Sequence, residues 1–234
     1  MDYVILNDVK STTIKGLLIQ SLPPISKPLM RTSVEEIDGR DGDVVTQLGY
    51  SAYDKPMSIG LFGDYDIDEV IQYFNSSGTV IFSNEPDKYY NYQIIQQIDF
   101  EKLIRFKTAT VTFHVQPFKY SAVDDTFTEN IADGVDSFSI FNRGNYFSRP
   151  TMTIYGSGTI NLNINGAELF VIDLGSAEYI TLDGASRNSY QGEIFMNRSV
   201  VGNLDNLVLN IGTNNISWTG NVTQIEIENF SRWV

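Results

Sequence analysis

The sequence predicts an all-β protein with one short helix, and three observations carry that prediction: a pervasive two-residue alternation, evenly scattered turn dipeptides and a single helical stripe. Val111, Phe113 and Val115 alternate with Thr110, Thr112 and His114, and Ile160, Leu162 and Ile164 alternate with Asn161, Asn163 and Asn165. Near the end, Ile225 and Ile227 interleave with Gln224, Glu226 and Glu228. Such a period places one face of a strand in a core and the other in water. Asp38-Gly39, Asp41-Gly42, Asp133-Gly134, Asn165-Gly166 and Asp183-Gly184 each offer the positive φ of a tight turn, so the sheets are expected to be antiparallel.

The helical stripe is Ile67, Val70, Ile71 and Phe74, spaced i, i+3, i+4, i+7. Asp66 is placed to cap it, Glu69 completes a capping-box-like start, and Asn75-Ser76-Ser77-Gly78 ends it. Composition then changes near residue 120. Residues 1–120 carry 11 Lys+Arg and 16 Asp+Glu, a net charge of −5, whereas 121–234 carry 5 and 13, net −8, with no lysine after Lys119. A boundary there divides the chain into domains 1–120 and 121–234, with 120–125 as linker after a strand that Pro117 is expected to end. No internal repeat appears, which argues against a propeller or solenoid.

Chemistry is restricted by what the chain lacks. It has no cysteine and one histidine, His114, so thiol nucleophiles, disulfides, Cys/His zinc sites and almost any Ser-His-acid triad are removed. His114 reads as a hydrogen-bonded surface or interface residue on the polar side of its strand. A net charge of −13 opposes binding to nucleic acid or to an anionic membrane. The N-terminus has no secretory pattern and no apolar stretch is long enough to span a bilayer, which predicts folding in the cytosol. The five Asn-x-Ser/Thr matches, at Asn75, Asn197, Asn215, Asn221 and Asn229, are what an Asn-rich chain produces by chance.

Several constellations have plain structural readings. Asp64, Asp66 and Asp68 occupy positions 1, 3 and 5 of a notional calcium loop, but Glu69 stands where glycine is required and Asn75 where a bidentate glutamate is required. They suit a helix N-terminus instead. The acid pairs Glu35/Glu36, Asp124/Asp125 and Glu226/Glu228 are expected among 29 acids, so a glycosidase is the least favoured function and no enzyme activity is expected. The aromatic groups Tyr89, Tyr90, Tyr92 and Phe138, Phe141, Tyr146, Phe147 read as core before sugar platform. Gly156-Ser157-Gly158 runs into a strand rather than a helix and is no phosphate loop.

The segment 27–53 is the most informative. Strand-like residues at 34–37 and 44–46 flank the charged tip Asp38-Gly39-Arg40-Asp41-Gly42-Asp43, the form of a protruding hairpin. A lone two-stranded ribbon is marginal in water. Two readings stand: an arm covered by a neighbouring subunit, or a hairpin lying on its own domain.

The order of features then resembles the distal tail proteins of long, non-contractile-tailed bacteriophages that infect Gram-positive bacteria. The matching pieces are Gly39-Arg40-Asp41-Gly42, Tyr53-Asp54-Lys55-Pro56-Met57-Ser58-Ile59-Gly60, the 66–74 helix, Glu85-Pro86-Asp87-Lys88-Tyr89-Tyr90 and Gln116-Pro117-Phe118-Lys119-Tyr120. In the second half they are Asn142-Arg143-Gly144-Asn145-Tyr146, Arg149-Pro150, Ile154-Tyr155-Gly156-Ser157-Gly158 and Ile164-Asn165-Gly166. The resemblance implies two β-sandwich domains, the first with a belt hairpin that builds a hexameric ring and the second galectin-like. It implies a virion protein at the tail tip or baseplate, assembled in the host cytoplasm. Its partners would be the major tail (tube) protein, a tail-associated lysin or tail-tip protein and a receptor-binding protein, with no cofactor, no metal and no specific nucleic-acid or membrane binding. By that analogy the subunit contacts fall on Val34, Glu36, Ile37, Val44 and Val45 of the hairpin and on Ile67, Val70 and Phe74 of the helix, with a docking or sugar face at Tyr146, Phe147 and Tyr190. The alternative function is a monomeric carbohydrate-binding adhesion module.

Overall fold

The computed structural model describes residues 2–123, 125–132 and 134–234. It divides into two compact units, Met1–Ala122 together with Val234, and Val123–Trp233. Asp124 and Asp133, part of the expected linker and of one expected turn, lie outside the described residues.

The first unit contains β1 (Val4–Leu6), β2 (Val9–Lys10), β3 (Leu17–Ser21), β4 (Met30–Glu36), β5 (Asp43–Tyr50), β6 (Tyr53–Leu61), α1 (Ile67–Phe74), β7 (Ser77–Phe82), β8 (Lys88–Gln93), α2 (Phe100–Phe106) and β9 (Thr108–Ser121). Seven strands pair antiparallel in the order β2-β1-β7-β8-β9-β6-β3, while β4 and β5 form a separate ribbon. The alternation read along residues 110–115 is realised: Val111, Phe113 and Val115 are fully buried. Phe113 meets Phe82 and Tyr92 edge to face, with ring centroids 5.4 and 5.3 Å apart. Helix α1 closes this core with Val70 and Phe74. Its Asp66 carboxylate accepts from the Asp68 and Glu69 amides, as a cap should. Glu69 does not complete a reciprocal box; its carboxylate accepts from the Lys15 amide instead.

Two expectations are corrected here. A second helix, α2, stands where only one was expected. Asp99 caps it by accepting from the Lys102 amide, and Lys107 ends it in the left-handed region at φ 57°. Only Leu103 is fully buried, so the segment carries too short a stripe to show a helical period. Nor does Pro117 end its strand. Between the pairs Tyr90↔Lys119 and Tyr92↔Val115 the register shifts, so residues 116–118 of β9 face Asn91 alone. Pro117 sits in that bulge, where no ladder N–H is required of it.

The second unit contains β10 (Thr126–Asn130), β11 (Ser137–Asn142), β12 (Thr151–Ile164), β13 (Ala167–Asp173), β14 (Tyr179–Asp183), β15 (Asn188–Gln191), β16 (Ile194–Phe195), β17 (Val200–Val201) and β18 (Gly212–Glu228). The two long strands organise it. β12 and β18 pair with each other along most of their length, and the register shifts near Gly156 and Ser157 bend them. Before the bend β12 also pairs with β14, and after it with β13; β18 pairs first with β11 and later with β10. One curled sheet thereby becomes two leaves over a core that includes Ile154, Leu162, Ile180, Ile225 and Ile227. Asn165 and Gly166 form the two-residue turn between β12 and β13 with φ values of 53° and 82°, as their sequence required. Asp183-Gly184 behaves differently: Arg187 takes the positive φ, at 60°. Gly184 is needed for space, because a Cβ there would lie 2.9 Å from the Leu207 carbonyl oxygen.

Candidate assembly site

Strands β4 and β5 form an arm. Seven residue pairs join them, from Met30↔Tyr50 to Glu36↔Asp43, with a bulge that leaves Leu48 unopposed. At about 3.3 Å per residue the ribbon is roughly 20 Å long. Gly39 and Gly42 take φ values of 80° and 81° at the tip, which lets residues 37–42 turn the chain round. Val34 and Val45 oppose each other across the ribbon and are each 54% exposed, while Val44 is half-buried. Ile37 lies just beyond the end of β4 and is also exposed. Of the two sequence readings, the hairpin lying on its own domain is therefore set aside: β-branched side chains that favour a packed sheet stand in water on this ribbon.

The root of the arm is held far more firmly. Residues 22–29 include Pro23, Pro24 and Pro28, and three carbonyls of this stretch are met by side chains from the body of the domain. The Asn84 amide donates to the Pro23 oxygen at 3.0 Å, the Lys55 ammonium to the Pro24 oxygen at 2.7 Å and the Tyr53 hydroxyl to the Ser26 oxygen at 3.3 Å. Tyr50, where β5 ends, meets Phe118 edge to face at 5.8 Å.

Lys55 belongs to a buried charge cluster. Lys119 donates to one oxygen of Glu85 at 2.9 Å and the Tyr90 hydroxyl to the other at 2.7 Å. Burial pushes Lys55 down to about 8, assisted by the neighbouring positive charge of Lys119 and opposed by Glu85. Burial would raise Glu85, but the hydrogen bonds from Lys119 and Tyr90 and the charges of Lys119 and Lys55 outweigh it, holding the carboxyl below its ordinary value. Burial is also the main reason that the Tyr90 hydroxyl is pushed well above the usual tyrosine range. The arrangement is a structural anchor: it fixes β6, β8 and β9 to one another and to the arm root.

The other sequence-selected residues fall in separate places. Val70 and Phe74 are almost wholly buried in the first core and so have little surface to offer a neighbour, while Ile67 is half-buried at the edge of that core. The outward side of α1 presents Asp68, Ile71 and Gln72 instead. Tyr146 and Phe147 stack at 4.5 Å beneath the Arg232 guanidinium, which lies 5.2 and 4.8 Å from their ring centres. Tyr190 stands on another strand, opposite Thr181 and Phe195. Another half-buried aromatic pair carries no signal in the sequence: Tyr155 and Tyr179 face each other across β12 and β14 at 5.2 Å, beside Gln224 on β18. Cross-strand register brings these together, and a register is not written in the residues of one strand.

His114 pairs across β6 and β9 with Asp54, its Nδ1 lying 2.8 Å from the carboxylate, while the Gln96 amide donates to the other Asp54 oxygen at 2.9 Å. Among the described residues no group of three or more His, Asp or Glu side chains gathers to hold a metal ion, and no helix is long and apolar enough to cross a membrane.

Comparison with solved structures identifies the architecture. The chain superposes on the Dit protein of phage SPP1, described as a paradigm of the hub adsorption apparatus in phages infecting Gram-positive bacteria, with a TM-score of 0.66 at 16% identity over 100% of both chains. The fold is that of the Dit hub. Two further structures of the phage P2 baseplate in its activated conformation agree with this. The calcium form gives a TM-score of 0.53 at 9% identity over 100% of this chain and 98% of the other; the strontium form gives 0.55 at 10% over 97% and 96%. No protein-family model and no curated protein sequence matches the chain. The fold is thus shared at a level of identity where few side chains are common.

Proposed function

We propose that this protein is a non-enzymatic hub of a phage tail tip or baseplate, closing into a ring through contacts of its arm with the adjacent copy. The single observation that supports this reading most is the arm itself, a two-stranded ribbon with apolar side chains and unpaired backbone edges open to solvent on a domain of the Dit fold. Each copy contributes an arm and receives one, a head-to-tail contact that closes when the rotation divides a circle. Domains 1–120 and 121–234 then divide the work, the first building the ring and the second facing peripheral tail parts. The partners in this reading are the tail tube protein on one side and a tail-tip, lysin or receptor-binding protein on the other. Its place is the virion tail, after assembly in the host cytoplasm. The excess of acidic residues suits a lumen that must let DNA slide without holding its phosphates.

Light scattering of the purified chain tests the reading. A ring of six copies of 26.3 kDa each has a mass of about 158 kDa. A species that stays at 26.3 kDa at high concentration defeats it.

A second reading, a carbohydrate-binding module, is favoured by the Tyr155–Tyr179 pair, whose rings stand beside polar side chains on an outer sheet face. Binding of a cell-wall glycan that is lost in Tyr155→Ala while the ring persists would assign that face to sugar.

A further inference from the structure

In the hub reading the second unit holds a peripheral tail part, and strand register assembles one face there that fits a partner of definite charge. Met152 and Ile154 of β12, Ile180 and Leu182 of β14 and Ile225 and Ile227 of β18 are buried in the core. Their neighbours along each strand point the other way. Register sets these outward residues in rows. Thr153 stands between Glu226 and Thr181, and the row continues through Tyr190 on β15 to Phe195 on β16. Two residues on along β12, Tyr155 stands between Gln224 and Tyr179; two residues back, Thr151 stands between Glu228 and Asp183. With strands about 4.8 Å apart, the row from Glu226 to Phe195 crosses roughly 20 Å of surface.

Two properties distinguish this face. It is aromatic: Tyr155, Tyr179 and Tyr190 are half-buried, and Phe195 is 71% exposed on the terminal strand. It is also acidic without compensation. None of the positions in these rows is lysine or arginine, and Asp183, Glu226 and Glu228 have no ion-pair partner among the described residues. Arg187, in the turn after Asp183, pairs with Asp205 at 2.6 Å instead. Hydrogen bonds hold two of the acids in place: the Gln224 amide donates to Glu226 at 2.6 Å, and the Ala185 and Ser186 amides donate to Asp183 at 2.8 and 3.0 Å. The acids also reach the rings. Burial, then Glu226 and Tyr179, raises the Tyr155 hydroxyl above its ordinary value, and burial, then Asp183 and Glu228, raises that of Tyr190.

Carboxylates set among aromatic rings, with no cation of their own, are complementary to positive side chains that pair with the acids and lie over the rings. No three acidic side chains among the described residues are placed to hold a metal ion. A neutral sugar would leave three charges unanswered. Resting on the hub reading, we propose that this outer face of β12, β14 and β18 docks an extended lysine- or arginine-bearing segment of a peripheral tail protein, its cations meeting Glu226, Glu228 and Asp183 and its stems lying on Tyr155, Tyr179 and Tyr190.

Calorimetric titration of the full-length chain tests this, with a peptide of alternating lysine and threonine and its glutamate-threonine counterpart as probes. The lysine peptide should bind, more weakly as salt rises, and the glutamate peptide should not. Glu226→Gln/Glu228→Gln should weaken the lysine peptide by about tenfold or more, and so should Tyr155→Ala/Tyr179→Ala. Tyr155→Phe/Tyr179→Phe keeps the rings and should bind like wild type. Glu35→Gln/Glu36→Gln removes the same charge from the arm and should change nothing. Equal weakening by the arm pair shows that the peptide follows net charge alone and overturns the proposal, as does binding that survives the substitutions on the face. Binding of chitohexaose, lost in Tyr155→Ala, in place of the lysine peptide assigns the face to sugar and overturns it too. A ring that dissociates in Glu226→Gln/Glu228→Gln assigns the face to a second copy, with the same consequence. A wild-type ring that ignores the lysine peptide sinks this proposal and leaves the hub reading standing, whereas a single copy that binds it keeps the docking face and defeats the ring.

Discussion

Lys55 and Lys119 flank the one carboxylate of Glu85 in a space that water barely enters, and the cost of that arrangement can be measured. Removing Lys119 leaves Glu85 with a hydroxyl and a second cation that is already committed to the Pro24 carbonyl; Lys119→Met should lower stability by roughly 3 kcal/mol in chemical denaturation. Lys55 releases its proton near pH 8 in the folded state but near 10.5 when unfolded. Between those values the unfolded chain binds more protons, so stability contributed by this group rises with pH. The difference in denaturation midpoint between wild type and Lys55→Met should therefore be flat below pH 8 and move in favour of wild type toward pH 10. A difference that stays constant over that interval would contradict the burial argument. In the second unit, Gly220 takes φ 101°, and a Cβ on it would lie 2.3 Å from the Thr159 carbonyl oxygen. Gly220→Ala should cost at least about 2 kcal/mol, since neither the backbone angle nor the neighbouring strand can yield cheaply.

Among elements, the arm and α1 have opposite dependencies. Helix α1 is joined to its core by Val70 and Phe74 and started by Asp66, so Asp66→Ala should lower stability by about 1 kcal/mol without changing the oligomeric state. The arm contributes almost nothing to either core. Replacing residues 34–45 with a short glycine turn should leave the thermal unfolding of both units in place and abolish the ring, read together by calorimetry and light scattering. Helix α1 is legible in the sequence because four apolar residues, Ile67, Val70, Ile71 and Phe74, fall on one stripe. Helix α2 escaped because Leu103 alone is fully buried and the apolar Ile104 and Phe106 face outward. Pro117 misled for a related reason. A proline breaks a ladder only where an N–H is needed, and the bulge opposite Asn91 removes that need.

For the molecule as a whole, charge is the property with the longest reach. At −13 the protein should show no retention of duplex DNA in a mobility-shift experiment at about 0.15 M salt, even when assembled. The fold is shared with proteins 9–16% identical to this one, which shows how little of it depends on particular side chains and how much on alternation, turns and two filled cores.

Alternation and turn chemistry by themselves determined the class, the strands around Val111, Leu162 and Ile225 and the hairpin with its acidic tip, since each depends on neighbours within a few residues. Tertiary structure alone decided that Val70 and Phe74 point inward, that Tyr155 meets Tyr179, that Asp54 answers His114 and that both faces of the arm are open to solvent. Those outcomes depend on register and burial, which arise only when segments distant along the chain compete for the same space.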